Sequence, residues 1–127
     1  MLKLLLHEHI SPKVAHGLVR RNPKLVARYI LEWEKGRFRG QSDFACLQEA
    51  ARQGLTFVTY DLRTIPPVLK VWAEEGRSHS GVIFIDEKSI FPANIGGIVL
   101  ALAKLVDEAG SWSWTNRVYF LGAVMWR

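Results

Sequence analysis

Polar side chains that could bind a cation or transfer a proton stand immediately after apolar runs of this chain. His7 and Glu8 follow the run at residues 2–6, and Asp61 and Asp86 end two later runs. Carboxylates and imidazoles serve both as metal ligands and as general acids or bases. Acids that converge raise one another's pKa values or destabilise the fold unless a cation lies among them. Such oxygen-rich sites favour Mg²⁺ or Mn²⁺.

The elements that must position these residues are apolar strands alternating with amphipathic helices. Ser11 followed by Pro12, and Ser42 followed by Asp43, are typical helix starts, and Gly54 is a typical helix end. We predict strands at residues 2–6, 55–61, 81–86 and 116–126, the last at an edge, and helices that start near residues 12, 42, 64 and 92. We expect Phe44, Leu47 and Ala51 to form the inner stripe of the second of these helices.

This alternation predicts a single α/β domain over residues 1–127, a three-layer α/β/α sandwich with a mostly parallel sheet. Right-handed crossovers place the strand ends Leu6, Tyr60 and Ile85 at one edge of that sheet, where ligands bind in open α/β folds. Residues 22–36 are ambiguous: the Asn-Pro start and the closing glycine favour a helix, whereas residues 25–33 are also rich in β-branched and aromatic side chains.

Charge and cysteine content narrow the class of protein. There are 17 Lys and Arg residues against 12 Asp and Glu, a net charge of +5 that suits an anionic partner such as nucleic acid. Cys46 is the single cysteine, so an internal disulfide is excluded and a buried thiol in a cytoplasmic protein is expected. No apolar run reaches the roughly 20 residues of a membrane helix, and no signal peptide is recognisable at the start.

Basic residues are concentrated between residues 20 and 39, where seven Lys and Arg stand against two acids. Arg37 and Arg39 flank Phe38, so phosphate contact and base stacking could occur together there; a solvated loop is the alternative. A metal held by the strand-end acids could activate water against a phosphodiester, which fits both the acids and the positive charge.

The segment LLLHEHISPKVAHGL resembles the opening of small PIN-like proteins, whose usual pattern is Leu-Leu-Asp-Glu-Asn-(Leu/Ile)-Ser-Pro. GQSDFACLQEAARQGLTFVTYD is similar to their central helix and strand, and HSGVIFID and NRVYFL resemble their last two strands. The resemblance covers nearly the whole chain. It implies a PIN-like fold and a metal-dependent ribonuclease, often the toxin of a toxin–antitoxin pair, with a strand at residues 25–33, which we predict in preference to a helix.

Carried over by position, the resemblance assigns Glu8, Asp43 and Asp61 as catalytic acids and metal ligands. One departure stands at its centre: His7 occupies the place of the first aspartate, and His9 that of the asparagine. Imidazole is a poor ligand for Mg²⁺ but binds Mn²⁺ or Zn²⁺, so His7 would favour a softer metal. Weaker candidates are His9, Asp86 and Thr59.

We therefore predict a metal-dependent endoribonuclease that binds Mg²⁺ or Mn²⁺ through His7, Glu8, Asp43 and Asp61. The RNA phosphate would contact the three arginines nearest these acids in the sequence, Arg37, Arg39 and Arg63. A small antitoxin protein and a homodimer are further partners that the resemblance implies. The alternative, which His7 motivates, is a degenerate PIN-like module that binds RNA or a protein without cleavage.

Overall fold

A five-stranded, entirely parallel sheet forms the centre of the protein in the computed structural model, which describes residues 2–124. The strand order is β2-β1-β3-β4-β5. The strands are β1 (Leu4–Leu6), β2 (Ala27–Tyr29), β3 (Thr56–Thr59), β4 (Val82–Ile85) and β5 (Val118–Leu121). The helices are α1 (Pro12–Arg21), α2 (Asp43–Gln53), α3 (Ile65–Glu74) and α4 (Ile95–Ala109). The predicted three-layer α/β/α class is confirmed.

Two hydrophobic clusters lie on opposite faces of the sheet. One joins the sheet to α1 and α4 and includes Val14 and Leu102; the other joins it to α2 and α3 and includes Leu47 and Trp72. Every residue of β1, β3 and β4 is buried, as expected for parallel strands covered on both sides. The continuous apolar runs of the sequence are therefore the core of the sandwich.

The strand register brings the carboxyl ends of the strands to one edge. Leu6 lies opposite Val58, and the His7 N–H donates to the carbonyl of Val58 at 2.9 Å. On the far side, Ile85 pairs with Leu121, and the Asp86 N–H donates to its carbonyl at 2.9 Å. The residues that follow β1, β3 and β4 therefore emerge side by side, as predicted.

The helix starts predicted at Ser11 and Ser42 are also confirmed, whereas α4 begins at Ile95, three residues later than predicted. The hydroxyl of Ser11 accepts from the N–H of Lys13 at 3.2 Å, and that of Ser42 accepts from the N–H of Ala45 at 3.1 Å. Gly54 closes α2 with a φ of 72°, in the left-handed region that glycine adopts without steric cost. The Ser42 cap fixes the position of Asp43 at the first residue of α2.

The ambiguous segment contains a short strand, as the resemblance implied. β2 pairs in parallel with β1, Leu4 lying opposite Ala27, and a 3₁₀ turn follows at Trp33–Gly36. Pairing with β1 and burial of Leu25 and Ala27 in the core stabilise the strand over the helix that local propensity favours.

Smaller differences concern element ends and the inner face of α2. The buried residues of α2 are Cys46, Leu47 and Ala50, whereas the expected Phe44 and Ala51 are only partly buried. β3 ends at Thr59 rather than Asp61. β5 is an edge strand as predicted; residues 125–126 of its expected range lie outside the described residues.

Cys46 is buried as expected, and burial raises the pKa of its thiol to about 11, which keeps it protonated at neutral pH. Within residues 2–124, no helix has the combination of length and apolar character needed to cross a membrane.

Candidate functional site

His7 is buried directly after β1, with only 3% of its surface exposed, and its ring contacts two polar side chains. Its Nδ1 lies 2.8 Å from the hydroxyl of Thr59, and its Nε2 lies 3.2 Å from Oδ1 of Asp43. The Thr59 hydroxyl also accepts from the N–H of Asp61 at 2.9 Å. A neutral imidazole satisfies these contacts when the Thr59 hydroxyl donates to Nδ1 and the Nε2–H donates to Asp43.

The protonation state of His7 follows from its burial. Burial lowers the pKa of His7 below its ordinary 6.5, and the nearby carboxylate of Asp43 opposes this shift without reversing it. The imidazole is therefore neutral at pH 7. His7 therefore presents a neutral hydrogen-bond donor to Asp43. The PIN-like pattern has its first aspartate at this position.

Asp61 accepts hydrogen bonds from the turn that it begins. Its Oδ1 accepts from the backbone N–H groups of Arg63 and Thr64, both at 2.8 Å, and its Oδ2 accepts from the Thr64 hydroxyl. Partial burial would raise the pKa of Asp61, but the hydrogen bonds from Thr64 and Arg63 outweigh it and hold the pKa below 3.8. Asp61 is therefore ionised and fixed in orientation.

Thr64 connects the two aspartates. Its hydroxyl lies 3.2 Å from Oδ2 of Asp43 while it also contacts Asp61, so both carboxylates face one oxygen atom. The predicted convergence of Asp43 and Asp61 is thus present, together with His7.

The sequence around Thr64 explains why its side chain is available for this contact. Thr64 precedes α3, yet its hydroxyl makes no cap hydrogen bond. A cap normally accepts from the second or third helical N–H, and those residues are Pro66 and Pro67, which have none. Thr64 was not among the residues predicted for the site; the signal that could have identified it is the pair of prolines two and three residues after it.

Three other candidates lie at the same edge but outside this group. Glu8 is exposed, and its backbone carbonyl accepts from the Tyr29 hydroxyl at 3.0 Å. Asp86 accepts from the N–H of Lys88 at 3.1 Å and so stabilises its own turn after β4. The ring of His9 packs edge-on against that of His7, with centroids 5.2 Å apart.

The oxygen atoms around Thr64 are compatible with a divalent cation held by two carboxylates. Among residues 2–124, no group of three or more His, Cys, Asp or Glu side chains is arranged to hold a metal ion, so the expected four-ligand set is not preassembled. Mg²⁺, however, is usually bound through one or two carboxylates and completes its coordination with water and substrate phosphate. Asp43, Asp61 and the Thr64 hydroxyl supply donors of this kind, whereas both nitrogens of His7 are already hydrogen-bonded.

The three candidate arginines occupy different surroundings. Arg63 is exposed in the turn beside Asp61. Arg37 forms an ion pair with Glu49 at 3.6 Å and lies over the ring of Phe38, 4.8 Å from its centroid. Of the three arginines, Arg63 is therefore the one that follows a candidate acid, Asp61, by only two residues.

Arg39 lies near Tyr29, whose hydroxyl contacts Glu8 outside the group of His7, Asp43 and Asp61. The pKa of the Tyr29 hydroxyl is raised, mainly by burial and also by the negative charges of Glu8 and Glu32. The positive charge of Arg39 opposes this increase.

We predict that the free energy of unfolding depends on pH because two histidines are buried. Burial lowers the pKa of His7 and of His79 in the folded protein, so the unfolded chain binds more protons once the pH falls below about 6.5. We expect the free energy of unfolding to decrease from pH 7 to pH 5, by at most about 1.4 kcal/mol per pH unit for each histidine. Urea unfolding at several pH values measures this.

The contribution of His7 can be separated from that of His79. His7→Asn should flatten the decrease relative to the wild type, leaving the part that His79 contributes. Equal slopes in the wild type and His7→Asn would contradict the assignment of a neutral, buried His7.

Comparisons of the chain with protein-family models, with curated proteins and with solved structures gave no match. The PIN-like resemblance therefore stays a prediction, and the function has to be argued from the site itself.

Proposed function

We propose that the protein is a metal-dependent phosphodiesterase that cleaves single-stranded RNA, with Asp43 and Asp61 in its active site. The observation that carries the proposal is the Thr64 hydroxyl, which both carboxylates contact at the carboxyl edge of a parallel sheet. Ligands in open α/β folds bind at this edge. The net charge of +5 supports an anionic substrate.

The two aspartates would hold one Mg²⁺ or Mn²⁺, with the Thr64 hydroxyl beside them. When bound, such a cation supplies positive charge to the phosphodiester and makes a nearby water molecule more acidic. The protein fixes its carboxylates beforehand: two backbone N–H groups orient Asp61, and the cap of α2 together with His7 orients Asp43. Preorganised ligands reduce the cost of ordering the site when the substrate binds.

The surrounding residues would position RNA. Arg63 follows Asp61 by two residues and has an exposed side chain, so its guanidinium can pair with a phosphate beside the acids. Arg39 would extend the positive surface on the side of Glu8 and Tyr29. The preference for RNA over DNA comes from the PIN-like resemblance.

The direct test is cleavage of a fluorescent single-stranded RNA in the presence of Mn²⁺ or Mg²⁺. We expect endonucleolytic products with Mn²⁺, loss of activity when EDTA is added in excess, and recovery when Mn²⁺ is restored. Cleavage that persists unchanged in EDTA would overturn a metal-dependent mechanism.

A second candidate is an RNA-binding module that does not cleave. The observation that favours it is the hydrogen bonding of both His7 nitrogens, which leaves this residue without a free lone pair for a metal. It would bind RNA in EDTA and in Mn²⁺ equally and release no products. A small antitoxin-like partner and a homodimer, which the resemblance implies, stay predictions.

A further inference from the structure

A cleft of about 710 Å³ adjoins the acids, between the turns that follow β3 and β4. Asp61 and Arg63 line one end of it, so the cleft is continuous with the candidate site. Leu62 and Phe91 contribute its apolar walls, and both side chains are largely exposed. Its volume lies within the range of small-ligand sites, roughly 300–1,000 Å³.

The turn that carries Phe91 is held in place by hydrogen bonds. The N–H of Ile90 donates to the carbonyl of Asp86 at 2.9 Å, and the N–H of Asn94 donates to that of Phe91 at 2.9 Å. The Tyr60 hydroxyl donates to the carbonyl of Ile90 at 2.8 Å, and Ile90 itself is buried. The exposure of the Phe91 ring is therefore a property of an ordered turn with its base in the core.

The charges around the cleft determine which part of an RNA strand could enter it. Asp86 and Glu87 line the cleft and accept hydrogen bonds only, so they repel phosphates and can accept from the amino groups of bases. Arg63 and Lys88, also in the lining, can pair with the phosphates on either side. An exposed aromatic ring beside them is a stacking surface for a base.

We propose that this cleft binds one unpaired nucleobase of the RNA, stacked on Phe91, next to the phosphate at Asp61. The inference rests on the proposed function for the identity of the ligand. A base that stacks there has to leave a duplex, so the cleft would make the protein select single strands.

The test compares two phenylalanines that are equally exposed. Phe91 and Phe120 each expose 67% of their surface, but Phe120 lies on the edge strand β5 and stacks on Phe84. Affinity for a fluorescent single-stranded RNA is measured by anisotropy in EDTA, so that no cleavage occurs. We expect Phe91→Ala to weaken binding roughly tenfold, as for loss of one base–aromatic stack, Phe91→Trp to retain affinity, and Phe120→Ala to stay within about twofold.

A strand of abasic ribose phosphates distinguishes stacking from charge. Phe91→Ala and the wild type should bind this strand equally, since no base is present to stack. Unchanged RNA affinity in Phe91→Ala, or an equal loss on the abasic strand, would overturn the proposal. Cleavage assays on the same proteins separate this proposal from the proposed function. Mn²⁺-dependent cleavage together with unchanged RNA affinity in Phe91→Ala would overturn base binding in the cleft and leave the nuclease proposal standing. Weaker RNA binding by Phe91→Ala without any cleavage would support base binding and overturn the nuclease proposal.

Discussion

Asp61→Asn is expected to reduce Mn²⁺-dependent RNA cleavage by at least about 100-fold. Asparagine keeps a carbonyl oxygen that can accept from the N–H groups of Arg63 and Thr64, so the turn is preserved. It removes the negative charge and places an amide in the position of Oδ2, which faces the Thr64 hydroxyl. Metal-derived stabilisation of the transition state is worth several kcal/mol, and each 1.36 kcal/mol corresponds to a factor of ten.

Asp107→Asn is the matched control for this substitution. It makes the same chemical change at an exposed aspartate inside α4, away from the strand ends and from the cleft. Cleavage rates under single-turnover conditions should fall for Asp61→Asn and change little for Asp107→Asn. Retention of full activity in Asp61→Asn would exclude this carboxylate from the reaction.

His7→Asp is expected to destabilise the protein in EDTA and to make its stability depend on metal. The substitution removes hydrogen bonds to Thr59 and Asp43 and places a second carboxylate in a buried position beside Asp43. Leaving buried polar groups unpaired costs about 1–3 kcal/mol, and the added repulsion increases the loss. A cation shared by the acids would offset this repulsion, so Mn²⁺ should raise the melting temperature of the variant more than that of the wild type.

His7→Asn provides the uncharged comparison, since it has nearly the same shape as aspartate. Thermal unfolding of the three proteins with and without Mn²⁺, together with RNA cleavage, distinguishes the two candidate functions. New cleavage in His7→Asp, with none in the wild type, would support the non-cleaving module. Equal metal effects on His7→Asp and His7→Asn would show that residue 7 does not face a cation.

The strand ends and helix caps were predictable because their causes are local or follow from chain topology. Ser42 caps α2 through an N–H three residues away, and this fixes Asp43 without any distant contact. The position of Asp61 follows from the register of parallel strands, which the alternation of strands and helices implies. The strand ends thus grouped Asp61 with His7, Glu8 and Asp86, whereas the addition of Asp43 to this group was implied by the PIN-like resemblance.

The hydrogen bonds inside the site could not be predicted in the same way. Thr59 and His7 are separated by 52 residues, and their contact depends on the pairing of β1 with β3. The role of Thr64 depends on two missing N–H groups in α3, an effect that single-residue capping preferences do not include. The strand within residues 25–33 could be predicted only through the resemblance, because β1 and the core stabilise it rather than the propensity of its own residues.

The single hydrogen atom of the Thr64 hydroxyl has a kinetic consequence. It can point at only one carboxylate at a time, although Asp43 and Asp61 both lie within reach. Rotation about a bond of an exposed side chain takes picoseconds to nanoseconds, far less than the microseconds to milliseconds of collective domain motions. Under the proposed function, this hydrogen could therefore turn away from the carboxylates without a backbone rearrangement.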